Sequence, residues 1–211
     1  MADTSYFGRK ELYAVILLAI ISFFLFADQN LMAPNLTQIG NEFGFTPEER
    51  DVKLGGNISL VFWVLGGLVT LGIGYLTDLI SRKTLFVWVI ILGEIPCLLT
   101  GFAQNYDQLF WLRALTGIAI GGALPLTYSF IGDYFSHKNR ASAAGYIGLA
   151  QGLGIAMGQL LAGAIGPEHG WRLPFIIVAS PNFLLIILFA LTVKEPRRGI
   201  SEDSLKDLIE S

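Results

Sequence analysis

The chain has 211 residues, of which 53% are hydrophobic and 15% are charged, and its mean hydropathy is +0.58. These proportions lie outside the usual range of a water-soluble domain and indicate an integral membrane protein. The formal net charge of −3, with basic residues dispersed along the chain, excludes the concentrated positive face that binding to nucleic acid requires.

Six segments are long and apolar enough to cross the bilayer as helices, since a span takes about 20 mostly apolar residues. The predicted fold is therefore an all-α membrane protein, a bundle of six transmembrane helices over residues 13–193. A cytoplasmic amino terminus, residues 1–12, precedes the bundle, and a cytoplasmic linker, residues 194–211, follows it. The predicted spans are residues 13–33, 57–77, 84–103, 109–132, 143–166 and 173–193.

The orientation of the bundle follows from lysine and arginine, which are retained on the cytoplasmic side during insertion. One set of connections holds only Arg50, Lys53 and Arg172, and the other set holds nearly all the remaining basic residues. Both termini are therefore predicted to be cytoplasmic, in a multi-pass protein of the cell's inner or plasma membrane. The basic residues of the predicted cytoplasmic side are Arg9, Lys10, Arg82, Lys83, Lys138, Arg140, Lys194, Arg197, Arg198 and Lys206.

The longest outer connection lies between the first two spans. It contains the helix-start pattern Thr46-Pro47-Glu48-Glu49, which predicts a short surface helix leading into the second span.

Glycine tracts in the fourth and fifth spans predict close helix packing, because glycine lets two backbones approach where no hydrophobic drive exists between helices. The alternative is that glycine is simply frequent in membrane helices. The glycines concerned are Gly117, Gly121 and Gly122 in the fourth span, and Gly145, Gly148, Gly152, Gly154, Gly158 and Gly163 in the fifth.

The turn between the second and third spans joins an acidic residue to a basic pair, and reads Gly74-Tyr75-Leu76-Thr77-Asp78-Leu79-Ile80-Ser81-Arg82-Lys83. It resembles the signature loop of the major facilitator superfamily: glycine, three residues, aspartate, a basic residue, one residue, glycine and two basic residues. Leu79 and Ser81 depart from that pattern, while the acid and the final basic pair are kept. Further matches in the same order are Arg113-Ala114-Leu115-Thr116-Gly117, Asp133-Tyr134-Phe135, Arg140 and Trp171-Arg172-Leu173-Pro174-Phe175.

Within that superfamily, three segments resemble the spinster-like transporters of lysolipids and sphingolipids. That family usually has arginine after the aspartate of the first span, where this chain has Gln29. Facilitator subfamilies for organic anions share parts of the same pattern. The three segments are Phe26-Ala27-Asp28-Gln29-Asn30, Phe43-Gly44-Phe45-Thr46 and Lys194-Glu195-Pro196-Arg197-Arg198-Gly199.

Asp28 and Arg113 lie at similar depths in the first and fourth spans, and an ionisable group inside the bilayer needs a partner or a function. The resemblance adds that these two helices line the central cavity. We predict that the two side chains bind substrate and couple it to a proton, because the proton affinity of a buried carboxylate depends on an arginine beside it. The alternative is a permanent packing pair, or side chains that reach the nearby interface.

Three further polar residues of the spans are candidates. Glu94, the deepest acid, is either a second proton-coupling residue or a buried contact to a neighbouring helix, since the family arrangement places the third span at the periphery. Tyr128 lies fifteen residues after Arg113, about four turns along the same helix, so both are predicted to face the cavity. Tyr128 and Gln151 are candidates for substrate binding, with hydrogen bonds between helices as the alternative.

A second group of charges lies at the predicted cytoplasmic ends of the spans. The resemblance implies that they form a gate, which closes that side against the other half of the transporter and whose rearrangement favours the inward-open state. A solvated turn is the alternative. The gating candidates are Gly74, Asp78, Arg82, Lys83, Asp133 and Arg140.

An intramembrane enzyme is excluded by the positions of its would-be catalytic groups. His137 and His169 fall in connections on opposite sides of the membrane, and Asp28 and Asp133 lie near opposite faces. The single cysteine, Cys97, permits neither an internal disulfide nor a multi-cysteine metal site, and no cofactor is predicted.

The resemblance implies a transporter of twelve spans in two halves, of which this chain supplies the first as a fragment of a longer sequence; a complete six-span protein that dimerises is the alternative. We predict a secondary active transporter, coupled to protons and working by alternating access, for a small amphipathic solute such as a lysophospholipid. Its partners are this substrate, membrane lipid and a second six-helix half. The alternatives are a transporter of organic anions, or a non-transporting six-span sensor or assembly subunit.

Overall fold

The computed structural model describes residues 9–135 and 137–195. Residues 1–8 and 196–211, which hold most of the predicted amino-terminal segment and of the predicted linker, lie outside the described residues.

Six helices are long and apolar enough to cross a membrane, which confirms the all-α six-helix bundle. A short 3-10 turn, Ala33–Asn35, precedes α2, and a π-helical segment, Asp51–Asn57, joins α3 to α4. The helices are α1 (Arg9–Gln29), α2 (Leu36–Glu42), α3 (Pro47–Arg50), α4 (Ile58–Leu79), α5 (Arg82–Thr100), α6 (Tyr106–Tyr134), α7 (His137–His169) and α8 (Leu173–Thr192).

The first span ends at Gln29, earlier than the predicted boundary at residue 33. The amide of Asn30 donates to the carbonyl of Phe26 at 2.9 Å, so a side chain takes over a carbonyl that a continuing helix would bond through its backbone. Pro34 follows within the next turn and has no backbone donor.

The surface helix before the second span is confirmed. The Thr46 hydroxyl accepts from the backbone of Glu49 at 3.2 Å, and the Glu49 carboxylate accepts from the backbone of Thr46 at 3.0 Å. This reciprocal capping box satisfies two donors at the start of α3. The helix then runs through the π-helical segment into α4.

The bundle consists of two similar three-helix units, the first made of α1, α4 and α5 and the second of α6, α7 and α8. Helix α1 of the first unit packs along α7 of the second, and α6 of the second unit packs along α4 of the first. Likewise α5 packs on α6 and α8 packs on α1, with α5 and α8 also in contact. This exchange of partners is the arrangement expected of an inverted repeat.

The glycines of the fourth span make the close contacts that were predicted. A Cβ on Gly117 would collide with the carbonyl of Phe62, and a Cβ on Gly121 would collide with that of Gly66, so α6 and α4 meet backbone to backbone. The Thr70 hydroxyl donates to the Gly121 carbonyl at 2.7 Å across the same contact.

The glycines of the fifth span divide into three groups. Gly154 and Gly158 press against the backbone of α1 at Phe23 and Ala27, as predicted. Gly163 makes an ordinary contact, since its Cβ would lie 3.8 Å from Pro34. The remaining three make no close contact within the described structure, because a Cβ at any of them would meet nothing within 4 Å. These three, which we call the open glycines, are Gly145, Gly148 and Gly152.

The apolar core has two parts. One contains Phe86, Phe130 and Phe189, whose rings lie 4.9–5.8 Å apart between centroids, and the other contains Trp171 and Phe175. On α5 the first part reaches Ile90 and the second begins at Cys97; on α8 the first reaches Ile186 and the second Ala179. The segments between these residues therefore lie between two apolar layers.

Candidate functional site

A buried polar cluster lies between the two apolar layers. It contains the carboxylate of Asp28 from α1 and, from α5, the carboxylate of Glu94 and the thiol of Cys97. One oxygen of each carboxylate and the thiol sulfur all lie within 4.8 Å of one another. The two acids are each 1% exposed and the thiol is fully buried. Sequence reasoning identified both acids and did not predict that they meet.

Asn182 of α8 also belongs to this polar cluster, and sequence reasoning missed it. Its amide nitrogen donates to Glu94 Oε1 at 2.7 Å, while the other oxygen of Glu94 has no hydrogen-bond partner among the described residues. The helix of the third span is thus joined to that of the sixth through a buried hydrogen bond. An asparagine within an apolar span was the signal available in the sequence.

Arg113 of α6 approaches the cluster but makes no ion pair with a carboxylate in the part of the chain that the structure describes. One guanidinium nitrogen lies 3.8 Å from Cys97 Sγ, and another lies 3.4 Å from the backbone carbonyl of Asp28. The guanidinium also lies over the rings of Phe62 and Phe175, at 5.8 and 5.3 Å from their centroids.

Neither carboxylate oxygen of Asp28 accepts a hydrogen bond in the described structure. Buried polar atoms are rarely left in that state, because the loss of hydration is then uncompensated. Among the described residues, Asp28 is the one with two buried side-chain oxygens that lack a hydrogen-bond partner.

Arg113 also lines a cavity of about 310 Å³ between α1, α2 and α4. Among the described residues that line this cavity, Arg113 is the only charged one, and the other polar side chains are Gln29, Asn30 and Ser59. Sequence reasoning did not assign these three to a site, although two of them directly follow Asp28. The apolar and small lining residues are Met32, Ala33, Leu36, Leu54, Gly55, Ile58, Phe62 and Trp63.

Tyr128 and Gln151 do not line this cavity. Tyr128 is exposed on α6, and Gln151 on α7 is half-buried with its amide nitrogen unbonded in the described structure. Both therefore lie outside the cavity that Arg113 lines.

The gating candidates gather at the end of the bundle where α4, α6 and α8 finish, which we call the basic end. Arg82 forms an ion pair with Asp133, and both side chains are largely shielded, at 18% and 13% exposed. Arg140 donates to the carbonyls of Phe135 at 3.0 Å and Gly132 at 2.5 Å, and so satisfies backbone acceptors at the end of α6.

The remaining gating candidates lie beside this ion pair. Gly74 and Asp78 are exposed on the last turns of α4, where the Thr77 hydroxyl donates to the Gly74 carbonyl at 2.7 Å. Lys83 lies in the first turn of α5.

Glu195 holds the start of α5, a contact that sequence reasoning missed. Its two carboxylate oxygens accept from the backbone nitrogens of Arg82 and Lys83, each at 2.8 Å, and Ser81 caps the same helix. A carboxylate at a helix amino terminus accepts from unpaired backbone donors and interacts favourably with the positive end of the helix dipole. The segment after the sixth span is thereby attached to the turn between α4 and α5, residues 80–81, which we call the gating turn because gating candidates flank it.

The opposite end of the bundle is held by Arg172. Its guanidinium forms an ion pair with Glu42 at 2.6 Å and donates to the carbonyl of Ala103, while the Trp171 ring donates to the same carboxylate at 2.7 Å. These bonds fix α2 against the starts of α6 and α8.

Comparison with known proteins agrees with this architecture. Residues 18–209 match the family model described as "Major Facilitator Superfamily". A solved bacterial homolog of the human lysosomal transporter Spinster, inward-facing and occupied, superposes with a TM-score of 0.82 at 25% identity, over 92% of this chain and 47% of that one.

Two curated relatives show the range of transporters that the chain is similar to. Quinidine resistance protein 1 of Saccharomyces cerevisiae is 26% identical over 95% of this chain and 35% of its own length. Citrate exporter 1 of Yarrowia lipolytica is 30% identical over 92% of this chain and 28% of its own length. The chain thus spans about a third of the length of these relatives.

Six membrane-length helices in this arrangement define a multi-pass membrane protein. The chain belongs to the major facilitator superfamily and corresponds to the amino-terminal half of its fold. That family consists of transporters of small molecules, not enzymes.

Proposed function

We propose that the chain is the amino-terminal half of a proton-coupled transporter that moves an amphipathic, acidic and lipid-like solute, such as a lysophospholipid, by alternating access. The observation that carries the proposal is Arg113, which touches the buried acid cluster on one side and a largely apolar cavity on the other. A single residue in contact with both groups can link substrate binding to protonation.

The cavity supports an amphipathic substrate. An arginine recognises phosphate or carboxylate through paired hydrogen bonds, and Arg113 has no carboxylate partner among the described residues. Beside it, Phe62, Trp63 and Ile58 offer apolar surface for a tail, while Ser59 and Asn30 can bond a polar linker. Tyr128 and Gln151 would contact the same substrate from the open side of the bundle.

Coupling would operate through the acids. When a substrate anion binds Arg113, the field that the guanidinium exerts on Asp28 and Glu94 is reduced, so the proton affinity of the cluster changes. Substrate and proton would then bind and dissociate in linked steps. Such linkage shifts the equilibrium between the two states of alternating access only if these ligands bind the two states with different affinities.

The gate would be the basic end. Arg82 and Asp133 hold α5 to α6 across the gating turn, and Asp78 would contact the second half together with Lys83 and Arg140. Gly74 leaves the end of α4 without a side chain, so another helix can approach it closely. Closing and opening these contacts would alternate access to the cavity.

The second half would pack on the faces that this chain leaves open. The open glycines recur at positions i, i+3 and i+7 of α7, on one face of that helix, and nothing in the described chain covers them. We further propose that residues 1–12 and the linker of residues 194–211 are cytoplasmic, in the inner or plasma membrane, as the basic residues predict.

Transport of organic anions is the second candidate. The likeness to a citrate exporter favours it, and Arg113 would bind a carboxylate as readily as a phosphate. Polar groups on several walls would be needed to hold a polyanion, whereas this cavity has one charged residue among mainly apolar ones.

The test is uptake by the protein expressed from its complete natural coding sequence and reconstituted in liposomes. Labelled lysophospholipid should accumulate under a pH gradient, and excess citrate should not compete. Trp63→Ala should reduce uptake, whereas Trp88→Ala, at a tryptophan of α5 with the same 57% exposure but outside the cavity, should not. Uptake that does not depend on the pH gradient, or competition by citrate against lysophospholipid uptake, would refute the proposal.

A further inference from the structure

The buried charges of the bundle do not balance. Among the described residues, the buried charged side chains are two acids, Asp28 and Glu94, and one cation, Arg113. An ionised carboxylate without a cation is costly inside a membrane protein, so such a group is neutral or paired. One cation can compensate one carboxylate, and the pair must therefore hold one proton.

The geometry identifies where that proton is held. A carboxyl oxygen of Asp28 and one of Glu94 lie within 4.8 Å of each other. Both oxygens of Asp28 and Oε2 of Glu94 have no hydrogen-bond partner in the described structure. A proton on one acid would be donated to the other and would satisfy oxygens on both, as it does when two carboxyl groups share one site.

The groups around the pair leave no other acceptor of comparable basicity. α7 meets α1 at this level through Gly154 and Gly158, which do not titrate, and α4 meets Arg113 through Phe62. The polar and titratable groups that face the pair are Cys97 from α5, Arg113 from α6 and Asn182 from α8.

Asn182 decides which oxygen of Glu94 is used. Its amide nitrogen donates to Oε1 at 2.7 Å, so Oε2 is the oxygen that remains for Asp28. The amide thereby positions Glu94 without itself carrying a proton that titrates.

A divalent cation is a weaker explanation of the same cluster. The two carboxylates and the Cys97 thiol are close enough to bind one, but a guanidinium nitrogen of Arg113 already lies 3.8 Å from the thiol sulfur. A second positive charge at that place would be repelled, whereas a shared proton leaves the cluster neutral.

We infer that Asp28 and Glu94 form an acid pair that shares a single proton, with Asn182 as the residue that positions Glu94. The inference rests on the proposed proton coupling and deepens it, since the coupling proton would then belong to two helices, α1 and α5. Moving either helix would break the sharing and release the proton.

Infrared difference spectroscopy of the complete protein in lipid nanodiscs tests the pair without any transport assay. Wild type should show a protonated carboxyl band at neutral pH that shifts in heavy water. The band should vanish in Asp28→Asn and equally in Glu94→Gln, because the remaining acid is then ionised opposite Arg113. Asp107→Asn, at an exposed acid of α6, is the control and should keep the band.

Asn182→Leu provides a second measurement that does not remove either acid. It should move the band to a different frequency, since Glu94 Oε1 loses its donor. A band that persists in either single-acid variant, an Asn182→Leu spectrum identical to wild type, or no band in wild type would overturn the shared proton. A different outcome would separate the two proposals: transport that does not depend on pH, together with a wild-type band that is lost in both single-acid variants. That combination would refute the proton coupling and leave the shared-proton pair intact.

Discussion

Two regions of the bundle, the basic end and the buried polar cluster, compensate their charged side chains differently. At the basic end Arg82 pairs with Asp133, and Glu195 accepts from two backbone nitrogens of α5. In the middle, the Asp28 carboxylate accepts no hydrogen bond from the described residues, and Arg113 bonds a backbone carbonyl instead of one of their carboxylates. Satisfied charges stabilise one arrangement of helices, whereas unsatisfied ones respond to a proton or a ligand.

The loss of one charge has different consequences at the basic end and in the middle of the bundle. At the basic end a lost charge breaks a contact that water can partly replace. In the middle it leaves an uncompensated ion between two apolar layers.

The largest effect is expected for Arg113→Met. It removes the only buried cation among the described residues and leaves the single negative charge of the acid pair without compensation, which costs about 3–5 kcal/mol in comparable buried pairs. The midpoint of thermal unfolding in nanodiscs, followed by tryptophan fluorescence, should fall steeply, and further as the pH rises. Arg113→Lys should retain most of the stability. A methionine variant as stable as wild type would show that Arg113 does not compensate the acids.

A smaller effect is expected when the ion pair of the basic end is broken. Arg82→Gln and Asp133→Asn should each lower stability, and the double variant should lose less than their sum, with a coupling energy of about 1–3 kcal/mol. Denaturant titration of all four proteins in mixed micelles measures the cycle. Strictly additive losses would mean that the pair contributes nothing.

The gating turn itself is tested by Asp78→Asn. We expect transport to fall at least roughly tenfold, which corresponds to about 1.4 kcal/mol, with substrate affinity unchanged. Equilibrium binding and initial uptake rates measured on the same preparation separate the two quantities. If affinity fell and the rate did not, Asp78 would belong to the substrate site.

Two glycines of α7 distinguish packing within this half from packing against the second half. Gly158→Leu should destabilise the bundle by about 1–3 kcal/mol, because its side chain would overlap the α1 backbone at Ala27. Gly148→Leu has free space in this half and should leave its folding intact, yet should impair transport by the complete protein. Normal transport by Gly148→Leu would remove the open glycines from the proposed interface.

The smallest effect is expected for Glu195→Ala, which removes the carboxylate from the start of α5. Because the group is exposed, we expect a loss of about 0.3–1 kcal/mol that decreases in high salt. Glu195→Gln, which keeps an acceptor, should lose less. Thermal unfolding at low and high salt makes the comparison, and an effect independent of salt would argue against the helix-dipole contact.

The parts of the fold that depend on local sequence could be predicted. The six spans follow from the length of apolar runs, and the capping box at Thr46 follows from four consecutive residues. The end of α1 was misplaced because the bond from the Asn30 side chain to Phe26 competes with the helix in a way that hydropathy does not register.

The parts that depend on which helices meet could not be predicted. The spacing of Gly148 and Gly158 is typical of close packing, but spacing alone does not say which glycine finds a partner. Asp28 and Glu94 were each recognised as unusual, while their meeting depends on α1 and α5 converging at one depth. The capping role of Glu195 could likewise not be predicted, since the backbone nitrogen of Arg82 that it accepts from lies more than a hundred residues earlier in the chain.

The central claim is that Asp28 couples transport to protons, and the Asp28→Asn variant tests it most directly when two assays are run on one proteoliposome preparation. Uptake driven by a pH gradient should be lost, while exchange of labelled for unlabelled lysophospholipid, which needs no net proton movement, should continue. Gradient-driven accumulation at the wild-type rate in this variant would contradict the claim.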